Sequence, residues 1–388
     1  MRTRPMQGLS TTAIHAGHPG PNADGAVVQP IYQASTFLDA GHANYHDVPY
    51  IRLNNTPNQR ALATTLAALE GGEAALVSAS GMAAISTTLL TVLQAGDHLL
   101  AQRRLYGGAH SLLAHELPRH GITVGWIDPD APESWAAALR PNTRALYTES
   151  ITNPLVRVAD LPALASFARA HGLVSMIDNT VATPVHFRPI AHGFDLVVHS
   201  ATKYLNGHND LVAGAVIGTA ALVEQVRRRQ NHLGASLDPH ACFLLQRGLK
   251  TLTLRMRQHS SSALAVAQFL AEHPRVERVH YPGLTGHPDH ARAQALLRGG
   301  CSGLLCFEVA GGLRAAERVL RQVTLPAVAA SLGGAESLIT LPATTSHASL
   351  TAEERAEAGV TDNLLRMSVG LEDPQDLIAD LSAALAEA

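Results

Sequence analysis

The sequence predicts an α/β protein with a mostly parallel sheet in a large domain and a smaller C-terminal α/β domain, and three observations lead there. From Asn55 to about Gly234, short apolar runs alternate with helical patterns, the order that builds a parallel sheet wrapped by helices on both faces. After Gly234 the pattern changes, with helices first and then strand candidates interleaved with further helices. The length also asks for more than one unit: 388 residues, 46% of them hydrophobic, exceed one ordinary domain and supply ample core. The expected regions are an N-terminal arm over 1–54, a large domain over 55–234 and a smaller domain over 235–388.

The first fifty residues are rich in Gly, Pro, His and Asn with little periodicity, which predicts an extended arm reaching toward a neighbouring subunit. Thr56-Pro57 reads as an N-cap and first helical residue; Leu62, Leu66 and Leu69 share one face, and Gly71-Gly72 ends the helix. Ala74–Ala79 then reads as a buried strand, and Gly81–Gln94 as a helix stopped by Gly96. Further strands are expected at Leu99–Ala101, Thr123–Ile127, Ala145–Thr148, Val174–Ile177 and Leu196–Val198. Between them come helical patterns at Ala109–Leu117, Glu133–Leu139 and Leu161–Ala170. In the C-terminal region Phe243–Gln258 reads as one long helix and Ala263–Glu272 as a second. Strands are expected at Val276–Tyr281, Gly303–Val309, Ser337–Leu341 and Leu365–Val369, and Thr351-Ala-Glu-Glu354 is a capping-box signal.

Charge and composition exclude several classes. A net charge of −3 leaves no basic stripe for nucleic acid or anionic lipid. No apolar run approaches transmembrane length, and Met1–Gly17 lacks the apolar segment of a signal peptide, so a cytoplasmic protein is expected. Cys242, Cys301 and Cys306 form neither a CxxC pair nor an even disulfide framework. The 21 histidines lie without metal-ligand spacing, and His208 and His347 read as structural. One count is more pointed: of 29 cationic residues only Lys203 and Lys250 are lysine. An amine can lose its proton when desolvated and attack a carbonyl, which a guanidinium cannot. Lys250 falls on a predicted helix face and reads as a surface charge.

Lys203 lies in Asp195-Leu-Val-Val-His-Ser-Ala-Thr-Lys-Tyr-Leu-Asn-Gly-His208, just beyond a buried strand. In a parallel sheet such strand ends converge on the ligand site, and Ser200 and Thr202 can donate to a phosphate there. Asp178 stands at the exit of another strand. Ser78-Ala-Ser-Gly-Met82 joins a strand to a helix N-terminus suited to an anion, and Tyr106-Gly-Gly108 sets an aromatic beside flexible backbone. Singly, Asp178 reads as well as a strand-end cap, Tyr106 as a packed aromatic, and Ser200 and Thr202 as partners of loop backbone. Together the set suits a phosphorylated aromatic aldehyde. An amine attaches it, a carboxylate pairs with its ring nitrogen, hydroxyls and a helix end hold its phosphate, and an aromatic covers its ring. Pyridoxal 5'-phosphate fits that description.

Ser200-Ala-Thr-Lys-Tyr-Leu-Asn-Gly-His-Asn-Asp210 closely resembles the lysine motif of the trans-sulfuration (Cys/Met metabolism) enzymes that use this cofactor. The resemblance continues through Ser80-Gly-Met-Ala-Ala84, Asn153-Pro154, Asp178-Asn-Thr180, Arg247-Gly-Leu-Lys-Thr251, Ser331-Leu-Gly-Gly334, Thr345-Ser-His-Ala-Ser349 and Ser368-Val-Gly-Leu-Glu-Asp373. It implies the aspartate aminotransferase-like architecture of fold type I. It also implies roles: Lys203 holds the aldehyde and shuttles protons, and Asp178 keeps the ring nitrogen protonated. Gly81, Met82, Ser200 and Thr202 bind phosphate, and Tyr106 stacks on the ring and assists proton transfer. Arg366 clamps the substrate carboxylate, with Asn153 and Ser331 beside it. Tyr50 and Arg52, from a Tyr-x-Arg motif, reach the phosphate in a neighbouring chain's site, with Tyr50 also near substrate. Shared sites imply a dimer, and the family pattern is a dimer of dimers.

Within the family the chain most resembles cystathionine γ-lyase and cystathionine γ-synthase. The expected reaction is γ-elimination of cystathionine, or of a related thioether such as methionine or homocysteine, to 2-oxobutanoate, ammonia and a thiol. Cystathionine γ-synthase and β-lyase activities are the alternatives, and a non-catalytic protein that binds the cofactor is a remote one. Departures from family patterns bear on substrate. Asn55-Thr56-Pro57 replaces Asn-Pro-Thr, Ile151 replaces a proline, and Gly107-Gly108 replaces the Gly-Cys step of methionine γ-lyases. Ser111 and Ala330 stand where animal cystathionine γ-lyases carry Arg and Glu, which leaves the distal end of cystathionine less firmly held.

Overall fold

A computed structural model describes residues 8–17, 22, 25–38, 41–348 and 350–388. Ser349, residues 1–7 and parts of the N-terminal arm, on which some of the expectations above fall, lie outside the described residues.

Seven strands form the larger sheet: β1 (Ala74–Ser78), β2 (His98–Gln102), β3 (Thr123–Ile127), β4 (Thr143–Glu149), β5 (Val174–Asp178), β6 (Leu196–Ser200) and β7 (Gly214–Gly218). They lie in the order β1-β7-β6-β5-β4-β2-β3, all pairings parallel except those of β7, which runs antiparallel to both β1 and β6. Successive side chains of each strand enter opposite layers, as strand geometry requires. On β2, Leu99 and Ala101 pack in one buried cluster and Leu100 in the other; on β4, Ala145 and Tyr147 oppose Leu146 in the same way. Helices Gly81–Val92 and Ala220–Leu233 cover one face, and helices Pro57–Glu70, Leu161–Ala170 and Pro239–Leu249 cover the other.

The smaller sheet comprises β8 (Val276–His280), β9 (Leu304–Val309), β10 (Ala327–Val328), β11 (Leu338–Thr340) and β12 (Leu364–Ser368), ordered β10-β11-β12-β9-β8. Only β10 and β11 pair in parallel. Its inner side chains, among them Leu305, Phe307 and Met367, belong to the same buried cluster as one face of the large sheet. This is the α/β architecture, large mostly parallel sheet and smaller C-terminal unit, that the sequence predicts.

Several local expectations are corrected. The arm is not simply extended: Leu9–His15 forms a helix, because Leu9 and Ala13 have Leu62 and Leu66 to pack against. The single helix expected over 243–258 is two. Asp238 caps Pro239–Leu249 by accepting the His240 and Ala241 N–H groups at 2.9 and 3.0 Å, and the chain breaks at Lys250-Thr251. Leu252–Glu272 then runs unbroken through Ser260-Ser-Ser262, where burial overrides the weak helix preference of serine. Lys250 is therefore a C-cap residue and not part of a helix face. Ala109–Leu117 is divided into a short α-helix, a π turn and a 3-10 turn that admits Pro118. Glu133–Leu139 shrinks to Pro132–Trp135 plus one 3-10 turn. Strands β7 and β10 and helix Ala220–Leu233 are additions to the sequence reading.

Candidate active site

The C-terminal ends of β1, β4, β5 and β6 meet β12 and the Ser331 loop around a cavity of about 650 Å³. This is where a doubly wound sheet offers its ligand crevice. Gly81, Met82, Tyr106, Asn153, Asp178, Ser200, Thr202, Lys203, Ser331 and Arg366 all line it. Tyr50 and Arg52 do not. Arg52 instead donates to Asn231 O at 2.8 Å and to Tyr45 Oη at 2.7 Å.

One end is built for an anion. Ser80 caps helix Gly81–Val92 by accepting the Ala83 N–H at 3.0 Å, and the Gly81 and Met82 N–H groups have no protein acceptor among the described residues. A Cβ added at Gly81 would stand 2.6 Å from Ser200 Cβ, so only glycine lets this helix start so close to the end of β6. The Thr202 hydroxyl accepts the Ala213 N–H at 3.0 Å and donates to Ala213 O at 3.2 Å, which fixes the loop after β6; it would release that carbonyl to donate to a phosphate. Free amides, a positive helix end and two hydroxyls within one cradle match a phosphate.

Lys203 occupies the middle. Its Nζ donates to Ser331 Oγ at 2.6 Å, and burial, reinforced by the Arg366 charge, pulls its pKa from 10.5 to about 8. Ser331 holds a positive φ of 93°, a costly conformation for serine that concentrates at working sites. Asp178 accepts the Thr180 N–H at 2.9 Å, and Thr180 Oγ1 accepts the Ser200 N–H at 2.8 Å, which ties β5 to β6. Burial raises the Asp178 acid, and its hydrogen bonds with Thr180 oppose that rise. A cationic ring nitrogen beside it would restore the carboxylate.

At the far end Arg366, only 3% exposed, donates to Asn153 Oδ1 at 3.2 Å and to Ser331 O at 2.8 Å. Its Nε is buried without a partner, an orphan donor at a place where a carboxylate would bind. Burial lowers its pKa. His347 is held structurally between Ser346 Oγ at 2.9 Å and Leu105 O at 3.4 Å, and burial pushes its pKa down to about 4. His208 bonds Asn206 O at 2.7 Å, also structurally.

Sequence reasoning missed Glu149, a pocket-lining carboxylate at the end of β4, although a buried strand ending in an acid is the pattern that singled out Asp178. It also missed most of the pocket's apolar wall, with Ile85, Val181, Val212 and Leu332; Ile151, noted as a departure from the family pattern, belongs to that wall. Ala330 lines the cavity; Ser111, the last residue of helix Gly107–Ser111, does not.

An amine depressed toward neutrality, an acid for a ring nitrogen, an anion cradle and an orphan guanidinium therefore converge, and they fit pyridoxal phosphate with an amino acid. The sequence pattern described as Cys/Met metabolism PLP-dependent enzyme matches residues 10–386. L-methionine gamma-lyase of Pseudomonas putida is 43% identical, over 98% of each chain. The crystal structure of cystathionine gamma synthase from Xanthomonas oryzae pv. oryzae, in complex with aminoacrylate and cysteine, superposes with a TM-score of 0.94 at 38% identity and covers 99% of each chain. An O-acetylhomoserine (thiol)-lyase structure from Campylobacter jejuni, carrying a pyridoxyl-lysine phosphate, gives 0.93 at 32% identity over 97% of this chain and 99% of that one. Among the described residues no helix is long and apolar enough to cross a membrane.

Proposed function

Because the chain belongs to the Cys/Met metabolism PLP-dependent enzymes, we propose that its pocket carries out γ-elimination on a thioether amino acid, consuming water and releasing a 2-oxo acid, ammonia and a thiol. At family level the activity is carbon–sulfur chemistry on cystathionine- and methionine-type amino acids, with pyridoxal 5'-phosphate as cofactor.

The bound cofactor supplies an electron sink for charge developing beside the substrate's α-carbon. The chain's own residues do the rest. Gly81 and Met82 N–H with the Ser200 and Thr202 hydroxyls would hold the phosphate, Lys203 Nζ would hold the aldehyde end, and Asp178 would pair with the protonated ring nitrogen. Arg366 and Asn153 fix the substrate carboxylate, and Ser331 steadies Lys203. With substrate bound, Lys203 Nζ would be the base for the α-proton, a task suited to an amine whose protonation burial already disfavours. Tyr106, which lines the cavity, would cover the ring, and its Oη would deliver a proton to the departing sulfur.

The observation that carries the γ-elimination reading is where the charge lies. Lys203, Asp178, Glu149 and Arg366 are the charged residues that line the cavity, each with a role at the cofactor or the substrate carboxylate or beside one, and the rest of the lining is uncharged. That lining suits an uncharged sulfur substituent better than the second amino-acid head of cystathionine. Gly108 leaves the Tyr106 ring its room: a Cβ there would stand 2.6 Å from Tyr106 Cε1, so a larger residue at that step would have to shift the tyrosine ring. The likeness to cystathionine gamma synthase supports γ-replacement as a second reading, since the same pocket serves if a thiol enters before the product leaves. The same proposal has Tyr50 and Arg52 complete the neighbouring copy's site in a dimer of dimers, a reading supported by neither residue lining the cavity of its own chain.

Offering cystathionine, methionine, and an O-acylhomoserine with cysteine in parallel tests the reaction. The expected product of the first two is 2-oxobutanoate. Pyruvate from cystathionine reports β-elimination, new cystathionine reports γ-replacement, and either one without 2-oxobutanoate overturns the first reading.

A further inference from the structure

Glu149 ends β4 with its carboxyl group inside the cavity, only 4% exposed, and it forms no ion pair with a cation among the described residues. Its two oxygens go to two different segments. Oε1 accepts the Tyr106 N–H at 2.7 Å, and Oε2 accepts the Asn153 N–H at 3.3 Å. Tyr106 precedes the short helix Gly107–Ser111, so its N–H has no turn of its own to bond. Asn153 in turn accepts the Arg366 guanidinium at 3.2 Å. One side chain thus joins the backbone that carries the tyrosine to the backbone that steadies the arginine.

Across the sheet, Glu149 stands in register with Asp178 on β5, so the two acids project from the same face. Burial and the Asp178 charge both push the Glu149 acid well up. Placing a second carboxyl there is costly, and a purely structural acceptor of two amides need not be an acid beside an acid.

We infer that Glu149 is a positioning residue that sets Tyr106 and the Asn153–Arg366 pair relative to each other, coupling proton delivery at one end of the substrate to carboxylate capture at the other. It acts through those residues and touches neither reacting atom. The inference uses the Arg366 and Tyr106 roles given above but is independent of which sulfur amino acid is consumed.

Glu149→Gln keeps an oxygen for the Tyr106 N–H and loses the acceptor for Asn153; Glu149→Ala loses both. In holoenzyme normalised to bound cofactor, Glu149→Gln should raise KM about tenfold with kcat within about twofold, and Glu149→Ala should also lower kcat by about ten- to a hundredfold. The dissociation constant of glycine, which has no leaving group, read from the cofactor absorbance, should rise in step with KM in both variants. Amide hydrogen exchange on the holoenzyme should quicken at Asn153 in both variants and at Tyr106 only in Glu149→Ala. Unchanged exchange at both amides overturns the inference whatever the substrate is. So does a lower melting temperature with wild-type kcat, KM and glycine affinity, which is what a merely structural residue would give. If the alanine variant does not fold, the glutamine variant still decides through Asn153 exchange and glycine binding.

Discussion

Lys203 gathers what a single residue contributes. Its side chain is half-buried beside Ser331 and near the Arg366 charge, which lowers its pKa to about 8 instead of 10.5. Only the neutral amine attacks an aldehyde, and that fraction grows from about a tenth at pH 7 to about nine-tenths at pH 9. Cofactor-free protein should therefore take up pyridoxal phosphate several-fold faster at pH 9 than at pH 7, with a midpoint near 8 in stopped-flow absorbance. A flat profile across that range would contradict the assigned environment. Lysine scarcity made this residue legible in the sequence, and so did the strand end before it. Glu149 was not legible, because its importance lies in which amides it accepts, and those amides come from segments that only the fold brings together. Ser331 could be read only by family likeness, since its strained φ leaves no trace in composition.

At the scale of elements, the close meeting of helix Gly81–Val92 with β6 builds the anion cradle. Gly81→Ala puts a Cβ against Ser200, where neither backbone has room to yield. The variant should lose about 1–3 kcal/mol in urea unfolding and bind pyridoxal phosphate about tenfold more weakly in absorbance titration. Unaltered cofactor affinity would place the phosphate elsewhere. The strands of the large sheet were legible because each is a short apolar run between helices, and β3 spans Thr123–Ile127 as expected. Strand β7 was missed because Gly214-Ala-Val-Ile-Gly218 has only three apolar residues between two glycines and follows the turn-rich Asn206–Asp210, so it reads as more of the loop. Its place is fixed by β1 and β6 on either side, a tertiary constraint that no local window contains. The break at Lys250-Thr251 was overlooked for the opposite reason, since the apolar pattern carries on across it.

For the whole molecule, the site draws on both sheets: Arg366 enters from β12 while Lys203 and Asp178 come from the large sheet. The proposal adds Tyr50 and Arg52 from a second copy. Alone, Arg52→Ala should hold cofactor weakly, and Lys203→Ala should be inactive. Dissociated, mixed and reassembled, the two variants should regain about a quarter of wild-type activity, because half the dimers are hybrids with one intact site each. No recovery in demonstrably mixed oligomers would count against sharing. The proposed service of the arm to another chain rests on its composition and its Tyr-x-Arg motif. Its helix Leu9–His15 was not legible, being too short to declare itself before Leu62 and Leu66 are there to receive it. The arginine-for-lysine habit also turns the chain into its own reporter. A lysine-specific endoprotease has only two places to cut the denatured polypeptide, after Lys203 and after Lys250, and so yields three pieces. Once borohydride has locked the vitamin onto Lys203, the first of those bonds resists cleavage and two pieces remain. A gel lane would then count the loaded sites without any assay of turnover.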